Sequence, residues 1–320
     1  MKKLVYVNKG RDPLKETVEG ILDSRPDSLT TVENEYSHIC MKAELPENRV
    51  RVLVNGGGGR GPFFEGCVGD GLADAAVSGD FNCAPNAYMI YQIAKQIDCG
   101  KGVLLVTNNF MGDYLNNDMA KELLEADGIP VEVCYVSDDI YSARGEEKEA
   151  RGGLCGIGFI LKISAAAAKS GSDLQEVYRI AEKANSRIRS LAFCYNEDTG
   201  NIELGNGFSG EAPAEIIALA DADKITEKIV GVILGELEIY EKKNIHIMMN
   251  RMLYMSYAEG YIMLHAAKRE FEKRGYKTGI CTAGLYFDAF DYNGGILSVL
   301  ITDDELEQYV NPVNGFDFTI

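Results

Sequence analysis

Metal-binding spacing is missing from this sequence. No CxxC pair occurs among the eight cysteines, at 40, 67, 83, 99, 134, 155, 194 and 281, and the three histidines, at 38, 246 and 265, stand far apart. Neither a zinc centre nor a dithiol redox motif fits that spacing, so no metal ligands are expected. Scattered cysteines in apolar contexts such as "VEVCYV" read as reduced, buried thiols of a cytosolic protein. His246, inside "NIHIMMN", reads as a satisfied core histidine. Positive charge is also scarce: 32 Lys and Arg stand against 49 Asp and Glu, a net charge of −17. The longest basic cluster, "HAAKREFEKR", is broken by glutamates and reads as the solvated face of a helix. Direct binding to nucleic acid or to an anionic membrane is therefore not expected. Long apolar runs are absent too. The apolar stretch of "MKKLVYVNKGRD" has four residues, too few for a signal peptide, and no run approaches the length of a membrane span. A cytoplasmic location is the expectation.

What the chain does contain is an ordinary globular composition. It has 320 residues, 46% of them apolar, which suits two domains of roughly 150 residues each. "DPLKETVEGILDSRP" has helical periodicity, with Asp12 as N-cap and Pro13 in the first helical position. "RVRVLVNGGGGRG" reads as a strand running into a glycine turn, "NAYMIYQIAKQID" as a helix, and "GKGVLLVTNNFMGD" as a buried strand ending in a polar loop. "NDMAKELLEADG" follows as a helix stopped at Gly128, and "IPVEVCYVSDD" as a strand. "GIGFILKISAAAAKSG" and "SDLQEVYRIAEKANSRIRSLAF" read as two long helices. A looser second block places helices over "ITEKIVGVILGELEIYE" and "YAEGYIMLHAAKREFEKRG", and strands over "NIHIMMN", "YKTGICTAG" and "ILSVLIT". Alternating strands and helices predict an α/β protein. The expected fold has two α/β domains, over residues 1–182 and 183–320. Each has a mainly parallel or mixed sheet flanked by helices, and the ligand site lies in the cleft between them.

Three loops carry candidate chemistry. The first is "VNGGGGRGPFFEGCVGDG". Consecutive glycines let the backbone approach a small ligand and offer its N–H groups; a tight turn is the other reading. No GK[ST] follows and GxGxxG is out of phase, so nucleotide binding is not indicated. The second is "TNNFMGDYLNN", where Asp113 either caps the next helix or serves as a base facing the crevice at the strand ends. The third is "GNGFSGEAPAE". "GFSGE" nearly matches a GxSxG nucleophile elbow, but Glu211 replaces the second glycine, and neither a leading strand nor a histidine partner is evident. Serine hydrolase chemistry is not expected of Ser209.

Together these loops resemble the K subunit of dihydroxyacetone kinase. The opening "MKKLVYVNKGRDPLKETVEGILDSRPDSL" and the stretch "VLVNGGGGRGPFFEGCVGDGLADAAVSGDFNCAP" are similar to that family's. "GVLLVTNNFMGDYLNNDMA" looks like its "VLLIxKNYTGDxLNFxxA". "EARGGLCGIGFILKISAAAAKSG" and "YNGGILSVLITDDEL" match further stretches. The resemblance implies a homodimeric subunit that binds a short ketose and holds no cofactor itself. A separate nucleotide-binding L-type subunit would bring ATP, or ADP recharged by a phosphotransferase system, with Mg2+. It also implies that Asp113 is the base and that Gly56 and Gly57 offer backbone contacts.

The sequence departs from the family where the substrate is held. The family's "GIHGEPG" carries the histidine that captures the ketose covalently; here the aligned stretch is "GFSGEAP", with Ser209 in its place. The family's "GGGSGHEP" carries a second histidine, where "GGGGRGP" offers Arg60. A hydroxyl is a poor substitute for imidazole in carbonyl capture, so non-covalent binding is expected. Arg60 brings a fixed positive charge with five donors, suited to a carboxylate or phosphate; pairing with Asp113 or Glu65 is the other reading. The segment between "SLAF" and "IELGNG" is shorter than the family's and lacks its "CTVP". "NRMLYMSYAEGY" replaces "NxLGxTPxxELY". Two functions stand at this point. One is a substrate-binding subunit presenting a small ketose, polyol or sugar acid for phosphorylation. The other is a non-catalytic paralogue that senses ligand as coactivator of a transcription factor or partners an intact K subunit.

Overall fold

The computed structural model describes residues 5–32, 39–45, 48–61, 64–143, 150–208, 211–237, 244–288 and 292–310. The chain divides into two compact units. Unit 1 holds the described residues up to Tyr135 together with Ile160–Glu182; unit 2 holds Val136–Phe159 and the described residues from Lys183 onward.

Unit 1 opens with α1 (Pro13–Ser24), whose start is fixed as its sequence predicts: Asp12 accepts the Leu14 N–H at 2.9 Å and Pro13 occupies the first turn. A six-stranded sheet follows, in the order β1 (Leu29–Thr30), β2 (Ile39–Lys42), β4 (Ala75–Phe81), β3 (Arg51–Gly58), β5 (Val103–Asn108) and β6 (Val131–Val136). β3 runs parallel to both β4 and β5, while β1 and β2 pair antiparallel. β5 is buried along its whole length, as central strands of parallel sheets are. α2 (Ala87–Ile97) and α3 (Met111–Ala126) pack together beside the sheet. Leu53, Val77, Ile90, Ile93, Leu105 and Leu124 meet in the core, each stabilising the fold by about 1.5–3 kcal/mol through burial. Asp74 pins the edge of this sheet from its fully buried position. It accepts from Lys42 Nζ at 2.9 Å, Arg49 Nη2 at 2.5 Å and the Val52 N–H at 3.1 Å. Burial alone would raise its pKa; the two cations outweigh burial and hold it below the ordinary carboxylate range.

α4 (Ile157–Lys169) and α5 (Leu174–Ser186) precede the second sheet, which runs in the order β11 (Lys277–Gly284), β10 (Asn244–Arg251), β12 (Gly294–Ile301), β7 (Ile188–Asn196), β8 (Asn201–Leu204) and β9 (Glu215–Ala218). β10 and β11 are parallel; the other four pairings are antiparallel. α6 (Ala222–Leu237) and α7 (Tyr257–Lys273) cover it, burying Ile229, Ile233, Leu264 and Phe271 against Leu191, Ile247 and Leu297. Ser256 caps α7 in a reciprocal capping box with Glu259. A short α8 (Glu307–Val310) follows β12. His246 is a core residue. Its Nδ1 accepts the Ile280 N–H at 3.0 Å, so the ring proton is on Nε2, 3.2 Å from Glu307. Burial pushes its pKa down. Among the described residues no helix is long and apolar enough to cross a membrane.

Three differences from the sequence reading bear on the fold, the first being that β3 continues through Gly56 and Gly57 to Gly58, where a glycine turn was expected. The helix expected over "SDLQEVYRIAEKANSRIRSLAF" stops at Ser186, and β7 begins at Ile188. β7 hydrogen-bonds to β12 on one side and β8 on the other; those tertiary pairings override a helical pattern that its sequence tolerates. The polar loop expected at "FMGDYLNN" is already α3, which starts at Met111. Of the cysteines, Cys83 and Cys99 are exposed and Cys281 is half-buried; the other five are buried.

Candidate functional site

The carboxyl ends of three neighbouring strands in unit 1 form the base of the site. Gly56 of β3 lies in register with Ser78 of β4. On the other side Asn55 pairs with Thr107 of β5, which brings Asn108, the last residue of β5, alongside Gly56. The first turn of α3 then rises from this edge and carries Asp113.

Asp113 does not cap that helix. Phe110 stands at the N-cap without a side-chain bond, and Asp113 Oδ1 is buried with no hydrogen-bond partner among the described residues. The residue is 6% exposed. Burial pushes its carboxyl up to about 7, and the nearby charge of Arg60 limits the rise. A carboxylate so placed exchanges its proton near neutrality, the range in which a general base works best. Arg60 is itself buried, and its field falls on Asp113.

The helix start is held from below by amides that the sequence reading did not single out. Asn55 and Asn117 are both fully buried. Asn55 Nδ2 donates to Asn117 Oδ1, and Asn117 Nδ2 to Asn55 Oδ1, each at 2.8 Å. Asn117 Nδ2 uses its second hydrogen on the Asp113 carbonyl, also at 2.8 Å. Thr107 Oγ1 donates to the Asn55 carbonyl at 3.0 Å. The glycine strand and the first turn of α3 are thereby locked together, which fixes Asp113 relative to Gly56 and Gly57. On the β4 side, Ser78 Oγ donates to Glu65 Oε1 at 2.5 Å. The signal for these residues lies in the sequence: Asn55 follows the apolar run Val52–Val54 within β3, and Asn117 follows Asp113 at helical spacing.

The glycine run fits the protein to itself. A Cβ on Gly56 would sit 2.3 Å from the tip of the Phe64 ring, and one on Gly58 2.0 Å from the Gly79 carbonyl oxygen. Gly59 has φ +76° and faces the Phe81 ring. Gly57 is the most open of the four on its Cβ side, with backbone of Asn82 and Cys83 at 3.3 Å.

Ser209 lies outside the described residues. In unit 2, Phe208 before it stacks on Phe287 with centroids 4.0 Å apart. Asn206 donates from Nδ2 to Glu203 at 2.8 Å and leaves Oδ1 buried without a partner. The Glu211 carboxylate packs against Gly207, where a Cβ would meet it at 2.6 Å. Asp138 is fully buried in the same unit. It accepts the N–H groups of Leu154 at 2.6 Å and Gly156 at 2.8 Å, and the Ser190 hydroxyl. Those bonds make it an anchor for the "GGLCG" turn, with its acceptors filled by the protein.

Known proteins resemble this chain over nearly all of its length. The Dak1 domain model matches residues 19–314. The dihydroxyacetone-binding subunit DhaK of PTS-dependent dihydroxyacetone kinase 2 from Listeria innocua is 32% identical over 95% of this chain and 96% of its own length. The L-erythrulose kinase of Pectobacterium atrosepticum is 30% identical over 92% of this chain, which spans 52% of that longer protein. Among solved structures, one described under the regulation of the DHA operon of Lactococcus lactis superposes with a TM-score of 0.88 at 25% identity, covering 98% of this chain and 97% of its own. With the mixed six-stranded sheets and the glycine and aspartate loops in place, the chain belongs to the Dak1 domain family and is a DhaK-like protein.

Proposed function

We propose that this chain is a substrate-binding subunit that presents a small ketose, polyol or sugar acid to a nucleotide-bearing L-type partner for phosphorylation. The observation that carries the reading is Asp113. Its carboxyl is buried, titrates near 7 and keeps an unfilled acceptor at the carboxyl edge of a parallel sheet. Ligands bind at that edge in open α/β sheets. In this reading Asp113 takes the proton of a substrate hydroxyl as the γ-phosphate arrives. Phosphoryl transfer rests on positioning and electrostatics, which the Asn55–Asn117 pair and Arg60 supply on this chain. Gly56 and Gly57 offer backbone contacts. Ser209, in place of the family's histidine, holds the substrate by hydrogen bonding and not as a covalent adduct. The subunit works as a cytoplasmic homodimer, with no cofactor of its own and with ATP or ADP and Mg2+ on the partner.

The test is reconstitution with an L-type subunit. Asp113→Asn is expected to lower the rate by about 100-fold or more, the usual contribution of a positioned base. The wild-type rate is expected to climb as pH rises through about 7. An Asp113→Asn rate equal to wild type would refute the role. A second reading is favoured by the likeness to the Lactococcus lactis protein described under operon regulation: a ligand sensor that partners a transcription factor. Affinity purification from the native host separates the two, by recovery of an L-type subunit or of a transcription factor without one.

A further inference from the structure

The β7–β8 hairpin of unit 2 has two unlike faces. Phe193 and Ile202 are buried in the core of that unit, and Tyr195 packs against that core. Alternation along the strands sends Cys194, Asn196 and Glu203 to the opposite face, with Cys194 and Glu203 paired in register. That face floors a recess of about 470 Å³, which Glu197 and Asp198 of the hairpin turn, Tyr254 and Tyr292 also line. The volume suits a small organic ligand. Three of the lining side chains are carboxylates, and no Lys, Arg or His lines the recess. Glu203 is half-buried. Among the described residues its hydrogen bonds come from neutral donors: Asn196 Nδ2 at 2.6 Å, Asn206 Nδ2 at 2.8 Å and Cys194 Sγ at 3.7 Å. Its charge is therefore left without a counter-cation in the recess. Asn206 is 5% exposed, and the other end of its amide, Oδ1, is buried with no partner among the described residues. The oxygen and nitrogen of one amide share a carbon, so this open acceptor lies beside the Glu203 carboxylate. An unmet buried acceptor is costly, and a ligand that donates to it removes the cost.

We propose that this recess binds an organic primary amine in its ammonium form, with the N–H donors on Glu203 and Asn206 Oδ1 and the apolar body against Tyr254 and Tyr292. An ammonium carries the missing charge and three donors at once, and tyrosine faces attract cations. A carboxylate or phosphate would meet three like charges. A quaternary ammonium has the charge but no donor for Asn206. A metal ion does not fit: among the described residues no three His, Cys, Asp or Glu side chains are placed to hold one. Burial, reinforced by the charge of Glu203, pushes the Cys194 thiol up to about 12, so it stays protonated and unreactive. The inference is independent of the role of Asp113.

Calorimetric titration of the full chain at about pH 7, where an alkylamine is protonated, tests this at low salt. The probes are 2-phenylethylamine, its N-trimethylated analogue, 2-phenylethanol and phenylacetate. Wild type is expected to bind the primary amine at least about tenfold more tightly than the alcohol or the acid, the worth of a charged hydrogen bond. The trimethylated probe should bind more weakly than the primary amine. Glu203→Gln keeps the shape and removes the charge, and it is expected to weaken amine binding about tenfold while leaving the alcohol unchanged. Because Glu203 is tied to Asn196 and Asn206, a second variant guards against misfolding. Glu197→Gln combined with Asp198→Asn alters the exposed turn and should weaken the amine about threefold, with the loss shrinking as salt is added. Asp113→Asn should bind the amine as wild type does. Amine binding that is lost in Asp113→Asn and kept in Glu203→Gln would place the ligand elsewhere and overturn the proposal. No binding of the amine by wild type, equal binding of amine and alcohol, or tighter binding of phenylacetate would overturn it as well. A trimethylated probe that binds as tightly as the primary amine would remove Asn206 from the site and refute the choice of a primary amine.

Discussion

Asp113 makes the stability of this protein depend on pH in a direction opposite to that of a salt-bridged carboxylate. Its pKa rises from an ordinary 3.8 to about 7, through burial first, with Arg60 opposing. At 1.36 kcal/mol per pKa unit, that shift corresponds to roughly 4 kcal/mol. The sign follows from proton binding. Between pH 4 and 7 the folded state holds a proton on Asp113 that the unfolded state has released, so stability falls as pH rises through that window and levels off above it. Asp113→Asn replaces the neutral acid with a neutral amide of the same shape. Near pH 4 the variant should match wild type. At pH 8 it should be more stable by up to about 4 kcal/mol. Urea unfolding of both proteins at pH 4.5, 6 and 8 measures the difference. Asp139, which burial also pushes up to about 7, titrates in both proteins and cancels. Arg60→Met removes the opposing charge, so the midpoint of the Asp113 transition should move upward. A difference between wild type and Asp113→Asn that is the same at all three pH values would refute the burial argument.

Two further substitutions probe the frame that carries the site. Asp74→Asn strands Lys42 and Arg49 beside a neutral amide and is expected to destabilise by about 3–5 kcal/mol. Because the pKa of Asp74 is lowered, this loss should be complete at neutral pH and shrink as pH falls through that lowered value. Urea midpoints at pH 7 and pH 3 check it, and equal losses at both would contradict the ion-pair account. Gly58→Ala places a methyl 2.0 Å from the Gly79 carbonyl; overpacking of this kind costs about 1–3 kcal/mol. Gly61→Ala meets nothing within 4 Å and should stay within about 0.5 kcal/mol of wild type. A thermal melt showing equal shifts would mean that the glycine run is not tightly packed.

Much of the architecture was legible in the chain. Asp12 and Pro13 set the start of α1, and short apolar runs, Val52–Val54 and Val103–Val106, marked β3 and β5, because capping and strand burial are local consequences of residue type. The ends of elements were less so. The stretch from Ile188 carries residues compatible with helix or strand, and only pairing with β12 and β8 decides between them. Asp113 was legible as a candidate, but its role as cap or base was open. A carboxylate at a helix start is the same letter in either case; burial and the lack of a partner come from packing.

The sequence by itself determined the two-part α/β plan, the acidic surface and the three glycine, aspartate and serine loops, since these depend on composition and local patterning. Only the tertiary structure decided which amides are spent and which are spare. Asn55 and Asn117 stand 62 positions apart, and no local rule pairs them. Their mutual bonds fix Asp113, and Asn108 is left with an open acceptor because of which strand end lies beside it. Hydrogen-bond satisfaction depends on neighbours in space, and the chain order of these residues does not contain that information.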